Sequence, residues 1–139
     1  MDQTKILYLA LLLQLAIPIW VLLLNGKRKA ADRKAGNVNP DSPIDNKAWS
    51  LPVVLTSNAL ANQFQFPVVF YVLVLMIIQI QAVGTTIVTL ALLFVLSRWI
   101  HAFVHVTSNK IPYRFGSFLV SSILLLLIFI YTAIAVIQL

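Results

Sequence analysis

Arg98, His101 and His105 fall at i, i+3 and i+7 of one apolar stretch, so at helical spacing a permanent cation and two imidazoles share a face. That stretch runs from Gly84 to Val106, and no hydrophobic segment of the chain holds a carboxylate that would neutralise Arg98. A guanidinium near the middle of a bilayer helix costs about 2.5–3.5 kcal/mol on insertion scales, and intramembrane ionisable groups mark functional sites by default. A second polar set, Asn58, Asn62 and Gln65, recurs at i, i+4 and i+7, which places three amides within about 60° of one another on a helix. A third, Lys110, Tyr113 and Arg114, opens the last apolar segment. Collected in one place, these residues make a cationic, hydrogen-bonding, acid-free pocket. The counter-charge that suits it is a ligand carboxylate or a lipid phosphate.

Other chemistries fit these residues less well. His101 and His105 have a spacing that can grip a metal, but a third ligand is missing, because the chain has no further histidine, no cysteine and no carboxylate within an apolar segment. No metal is therefore expected. A histidine general base stays open. Without cysteine there is no disulfide, no thiolate nucleophile and no haem-attachment motif, so any thiol chemistry must use a thiol that a substrate brings. Proton-coupled carriers of cationic substrates need an acid inside a helix, which is absent here.

The elements that must position these residues are membrane helices. Of 139 residues, 60% are hydrophobic and only 10% charged, and four apolar segments approach or exceed the roughly 20 residues that span a bilayer. They are helices at about 6–24, 51–80, 84–106 and 115–137, joined by a basic loop at 25–50, in one all-α four-helix domain covering 1–139. The first is too long for a signal-peptide core and reads as a retained helix. Pro18 is expected to kink it near Gln14, and Asn25-Gly26 to end it. Ser42-Pro43-Ile44-Asp45 reads as the start of helix two, with Pro52 a further irregularity inside it.

Net charge is +6, and its distribution sets a topology. Lys27, Arg28, Lys29, Arg33, Lys34 and Lys47 lie in the first loop, Lys110 and Arg114 at the third, and the loop from Gln79 to Thr86 is uncharged. Loops one and three are therefore expected in the cytoplasm, with both termini outside. The Lys27–Lys34 run favours anionic lipid headgroups; it abuts a membrane helix and lacks interleaved aromatics, which argues against nucleic acid. Short connections bring the same ends of helices two, three and four to one depth, so the three polar sets converge.

Asn62-Gln63-Phe64-Gln65-Phe66-Pro67-Val68-Val69-Phe70-Tyr71, then Arg98-Trp99-Ile100-His101, then Pro112-Tyr113-Arg114, resemble the MAPEG family of membrane-associated proteins in eicosanoid and glutathione metabolism. The resemblance covers all four helices, is concentrated in residues 58–71 and 98–116, and is nearest to bacterial-type members, hence a bacterial inner membrane rather than the endoplasmic reticulum. It implies a homotrimer of four-helix subunits that binds glutathione as co-substrate between neighbours, with a lipophilic small molecule as second substrate. It also implies that Arg98 and Asn62 contact the tripeptide and that Arg114 stabilises its thiolate. His101 falls where members carry His or Tyr, and His105 where several carry Tyr. Two positions depart from the pattern: Gln65 stands where members carry an acid, and the arginine usual one turn earlier is missing, with Ser57 and Asn58 in its place.

Two functions follow as expectations. One is a glutathione-type transferase or peroxidase acting on lipophilic electrophiles that reach the pocket from the bilayer along Val69, Val72 and Met76. The other is a non-catalytic protein of the same fold that binds anionic lipid or serves as an assembly partner.

Overall fold

A computed structural model describes residues 2–139. Five α-helices follow in order, α1 Gln3–Lys34, α2 Leu51–Gln63, α3 Phe66–Gln79, α4 Thr85–Val106 and α5 Ile111–Ile137, with a short 3₁₀ turn at Asn46–Ala48 before α2. Because α2 and α3 together form one span, Leu51–Gln79, the described residues hold four helices long and apolar enough to cross a membrane. Asp2 starts the first by accepting the Thr4 amide on its carboxylate.

α1 does not stop at Asn25-Gly26. Its 32 residues extend about 48 Å, well beyond a hydrocarbon core of about 30 Å, so the Lys27–Lys34 cations stand on a helical overhang rather than in a loop. Asn25 is buried and spends its side chain across the bundle, where its Oδ1 accepts from the Thr56 hydroxyl at 3.0 Å. The helix runs on to Lys34. Just beyond, Gly36 adopts φ +71, the Gly36 amide bonds the Arg33 carbonyl, and the Asn37 amide bonds the Asp32 carbonyl. Gly36→Ala is expected to cost about 1 kcal/mol, because a Cβ is strained at that φ although space is open around it. The check is a lower Tm for Gly36→Ala against a higher one for Gly26→Ala, which lies inside the helix with open space around it.

The start of the second span also differs from expectation. Residues 40–44 form a turn, and Ser42, instead of capping a helix, accepts the Asn39 amide and donates to the Ala48 carbonyl. The Trp49 indole donates to the Ser42 carbonyl at 2.7 Å, while Lys29 and Arg33 lie over its ring. Asp32 accepts the Ser50 amide, so the whole segment is laid back onto the α1 overhang. α2 then begins after Ser50, with Pro52 in its first turn, where a missing N–H costs nothing.

Pro67 divides the span. It cannot bond the Gln63 carbonyl, so α2 closes at Gln63, Gln65 takes φ −103 and ψ −109, and α3 opens at Phe66. The break separates two interiors. One joins Leu7, Leu11, Phe70, Val74, Phe94 and Ile128 across α1, α3, α4 and α5, with Phe70 stacked on Phe94 at 4.4 Å. The smaller one joins Ile17, Val21, Ala59, Ala102 and Val106 at the basic end. α4 packs against both α1 and α5, and that central place orders the side chains it carries.

Candidate functional site

α4 ends at Val106 and α5 begins at Ile111, so a four-residue connection sets the last turn of one helix against the first turn of the other. Asn109 makes this turn tight by taking φ +48, a left-handed conformation that asparagine tolerates. Its side-chain Oδ1 accepts from Arg114 Nη1 at 2.6 Å, which fixes the guanidinium beside the ends of both helices.

A pocket of about 400 Å³ opens there, lined by Asn58, Asn62, His101, His105, Ile111, Arg114, Phe115 and Phe118. Five of the sequence-derived residues thus meet: two amides from α2, two imidazoles from α4 and one cation from α5. Its walls contain no carboxylate. Phe118 packs edge-on against Phe66 at 5.4 Å and lies 6.1 Å from the His101 ring, closing the deep side with aromatic surface.

The hydrogen bonds assign the two histidines opposite tautomers. His101 Nδ1 is 3.0 Å from the Arg114 carbonyl, which only accepts, so Nδ1 carries the proton and donates. Its Nε2 is buried and has no partner among the described residues. His105 Nδ1 is 3.4 Å from the Asn62 amide nitrogen, which donates, so in neutral His105 the proton is on Nε2. Ser117 reinforces the corner by donating to the Tyr113 and Arg114 carbonyls near His101. Asn58 is exposed at the rim and accepts from the Asn46 amide at 3.2 Å.

The other four sequence-derived residues lie elsewhere. Gln65 is on the helix break and exposed, because the turn at Pro67 takes it off the face that Asn58 and Asn62 share. Lys110 and Tyr113 are exposed around the start of α5, outside the lining. Arg98 is also outside it and only 1% exposed, about 12 Å in from the end of α4, with Nε and Nη2 unpartnered.

Two contributors escape a reading of the sequence. Asn109 carries no intrinsic signal beyond being an asparagine between two helices. Arg28 looks like any other cation of the Lys27–Lys34 run, yet Nη1 donates to the Pro52 carbonyl and Nη2 to the Val106 carbonyl, both at 2.8 Å. It thereby links α1, α2 and the C-terminus of α4 next to the pocket.

A model of the MAPEG family matches residues 6–134. No curated protein and no solved structure matches the chain. The match takes in every residue of the pocket and all but the outer ends of α1 and α5, and on that extent the chain belongs to the MAPEG family.

Proposed function

We propose that the protein is a membrane-bound glutathione-type transferase or peroxidase, in which Arg114 stabilises the thiolate of the thiol substrate and a lipophilic electrophile arrives from the bilayer. Membership of the family fits a glutathione-related role at a membrane. The observation that carries the finer reading is Arg114, held by Asn109 against an acid-free pocket that also offers Asn58, Asn62, His101 and His105.

The chemistry follows from charge. A thiol of ordinary pKa about 8.5 is mostly protonated near neutrality, and a fixed cation beside the sulfur raises the thiolate fraction. Arginine keeps its proton throughout this range, so Arg114 acts electrostatically and not as a base. The thiolate sulfur then bonds the electrophilic carbon as the leaving group departs, and the thiol proton has gone to solvent. Asn58 and Asn62 provide hydrogen bonds to the thiol's backbone groups, with Lys110 and Tyr113 at the rim beyond them. Ile111, Phe115 and Phe118 give the electrophile an apolar approach, and Val69, Val72 and Met76 on the outer face of α3 continue it. We place this pocket on the cytoplasmic side of a bacterial inner membrane, in a homotrimer whose neighbours complete its open wall.

Gln65 favours a second reading. With no acid at that position and the side chain turned out at the break, the grip on an amino group is absent, as in a non-catalytic protein that holds an anionic lipid.

Thermal unfolding of the detergent-purified protein separates the two. Millimolar glutathione is expected to raise Tm in the wild type and to leave Arg114→Ala unchanged. No rise in the wild type, with a rise on adding anionic lipid, would replace the transferase by the lipid-binding protein.

A further inference from the structure

Among the described residues seven buried side-chain atoms have no hydrogen-bond partner, and five of them lie on three side chains of the interior: Gln14 Oε1 and Nε2, the Tyr71 hydroxyl, and Arg98 Nε and Nη2. Gln14 is 0% and Arg98 1% exposed, which makes Arg98 the largest fully buried side chain among the described residues. Each such group left unpaired away from water costs about 1–3 kcal/mol, and more when charged. They belong to three helices, and the packing brings them together. The Trp99 indole donates to the Leu13 carbonyl at 3.1 Å, which pins α4 at the level of Arg98 to α1 at the level of Gln14. The Tyr71 hydroxyl, from α3, lies beside the Gln14 side chain and within the field of the Arg98 cation.

What the cluster lacks identifies its occupant. Gln14 Nε2, Arg98 Nε and Arg98 Nη2 only donate, the Tyr71 hydroxyl donates as well as accepts, and Gln14 Oε1 alone is a pure acceptor. Water contributes as many donors as acceptors and no charge. An anion contributes acceptance on every side and cancels the guanidinium. The chain's own acids do not do this: Asp2 caps the far end of α1, while Asp32, Asp41 and Asp45 lie on the overhang and the segment folded onto it. Near-complete burial of Gln14 and Arg98 closes the position to anything large.

We propose that Gln14, Tyr71 and Arg98 form a binding site for a small monovalent inorganic anion of about chloride size in the centre of the bundle. The site is separate from the pocket at the basic end, since none of the three lines it. It does not depend on the transferase reading. Bound there, the anion turns an isolated intramembrane cation into a neutral pair and locks α1, α3 and α4 together.

The test uses detergent-purified protein without any thiol, in gluconate buffer of constant ionic strength and pH. A Trp49→Phe background leaves Trp20 and Trp99, stacked at 5.7 Å, as the emitters, and Trp99 neighbours Arg98 in the chain. Iodide is expected to quench their fluorescence with a saturable component that chloride competes away, and chloride is expected to raise Tm over the same concentrations. Arg98→Met is expected to abolish the saturable component. Gln14→Leu and Tyr71→Phe keep the cation and are each expected to weaken iodide binding about fivefold, the effect of one hydrogen bond. Linear quenching indifferent to chloride in the unsubstituted background would overturn the proposal. So would unchanged affinity in both Gln14→Leu and Tyr71→Phe, which keeps the test decisive where Arg98→Met does not fold. Loss of the saturable component on replacing the exposed Lys27 and Lys34 with glutamine would place the anion on the surface and also defeat it.

Discussion

Arg114→Ala is expected to lower the rate of glutathione conjugation to an aryl halide by about 10²–10³-fold, the range found on removing one preorganised charge stabiliser. The whole of that loss belongs to the ionisation of the sulfur and the charge on it in the transition state, so it appears in kcat more than in KM. Its pH dependence has a definite sign. In the wild type the cation already favours thiolate near neutrality, and the rate changes little as pH rises. In Arg114→Ala the thiol titrates near its ordinary value, so activity climbs with pH through about 8.5 and the deficit narrows. A deficit that stays constant with pH would remove Arg114 from the thiolate. Asn109→Gly provides the companion measurement: glycine keeps the φ of +48 but loses the 2.6 Å bond, and about a tenfold loss is expected from a guanidinium no longer held in place.

Arg28→Ala carries the largest expected cost in stability, about 2 kcal/mol. Two charge-assisted bonds of 2.8 Å disappear together, and one of them satisfies the carbonyl of Val106, the final residue of α4, where the helix dipole is negative and the carbonyl has no partner of its own within the helix. The other ties the first turn of α2 at Pro52. Arg28→Lys is expected to recover less than half of the loss, because an ammonium does not present the fork that reaches two carbonyls at once. Tm of the three proteins, at one detergent and salt concentration, checks the series. Lys27→Ala is the control, since Lys27 is exposed on the same overhang. Equal losses for Lys27 and Arg28 would mean that only the charge of the overhang matters.

Hydrophobic length and charge placement were sufficient to read four spanning helices from the sequence, because the bilayer imposes a single dominant requirement on them. Ends and breaks depend on local competition, which sequence pattern resolves poorly. Gly26 and Gly36 are equally plausible stops in a row of letters; the helix passes Gly26 because Asn25 bonds Thr56, a contact between distant parts of the chain, and stops where Gly36 can go left-handed. Ser42 and Ser50 both resemble caps, and the Trp49 indole on the Ser42 carbonyl decides between them. The helical arithmetic that puts Gln65 on the face of Asn58 and Asn62 holds only while the helix is continuous. Pro67 ends that continuity two residues after Gln65, and its effect reaches back a full turn. The depth of Arg98 is visible from its position in the apolar stretch; that its side chain turns into the bundle is not, because this depends on how the other helices pack around α4.

The break at Phe64–Gln65 turns one span into two rods that share a joint. α3 is bound into the larger interior through Phe70, Val74 and Ile77, while α2 rests on the smaller one through Ala59. Strain that a guest introduces between Asn62 and His105 therefore passes first into α1 and α4, which hold α2, and reaches α3 only across the joint. The stacked Phe70–Phe94 half keeps its own register while the half at the basic end is held by separate bonds to α1, a division of one span into two independently anchored rods made by a single proline.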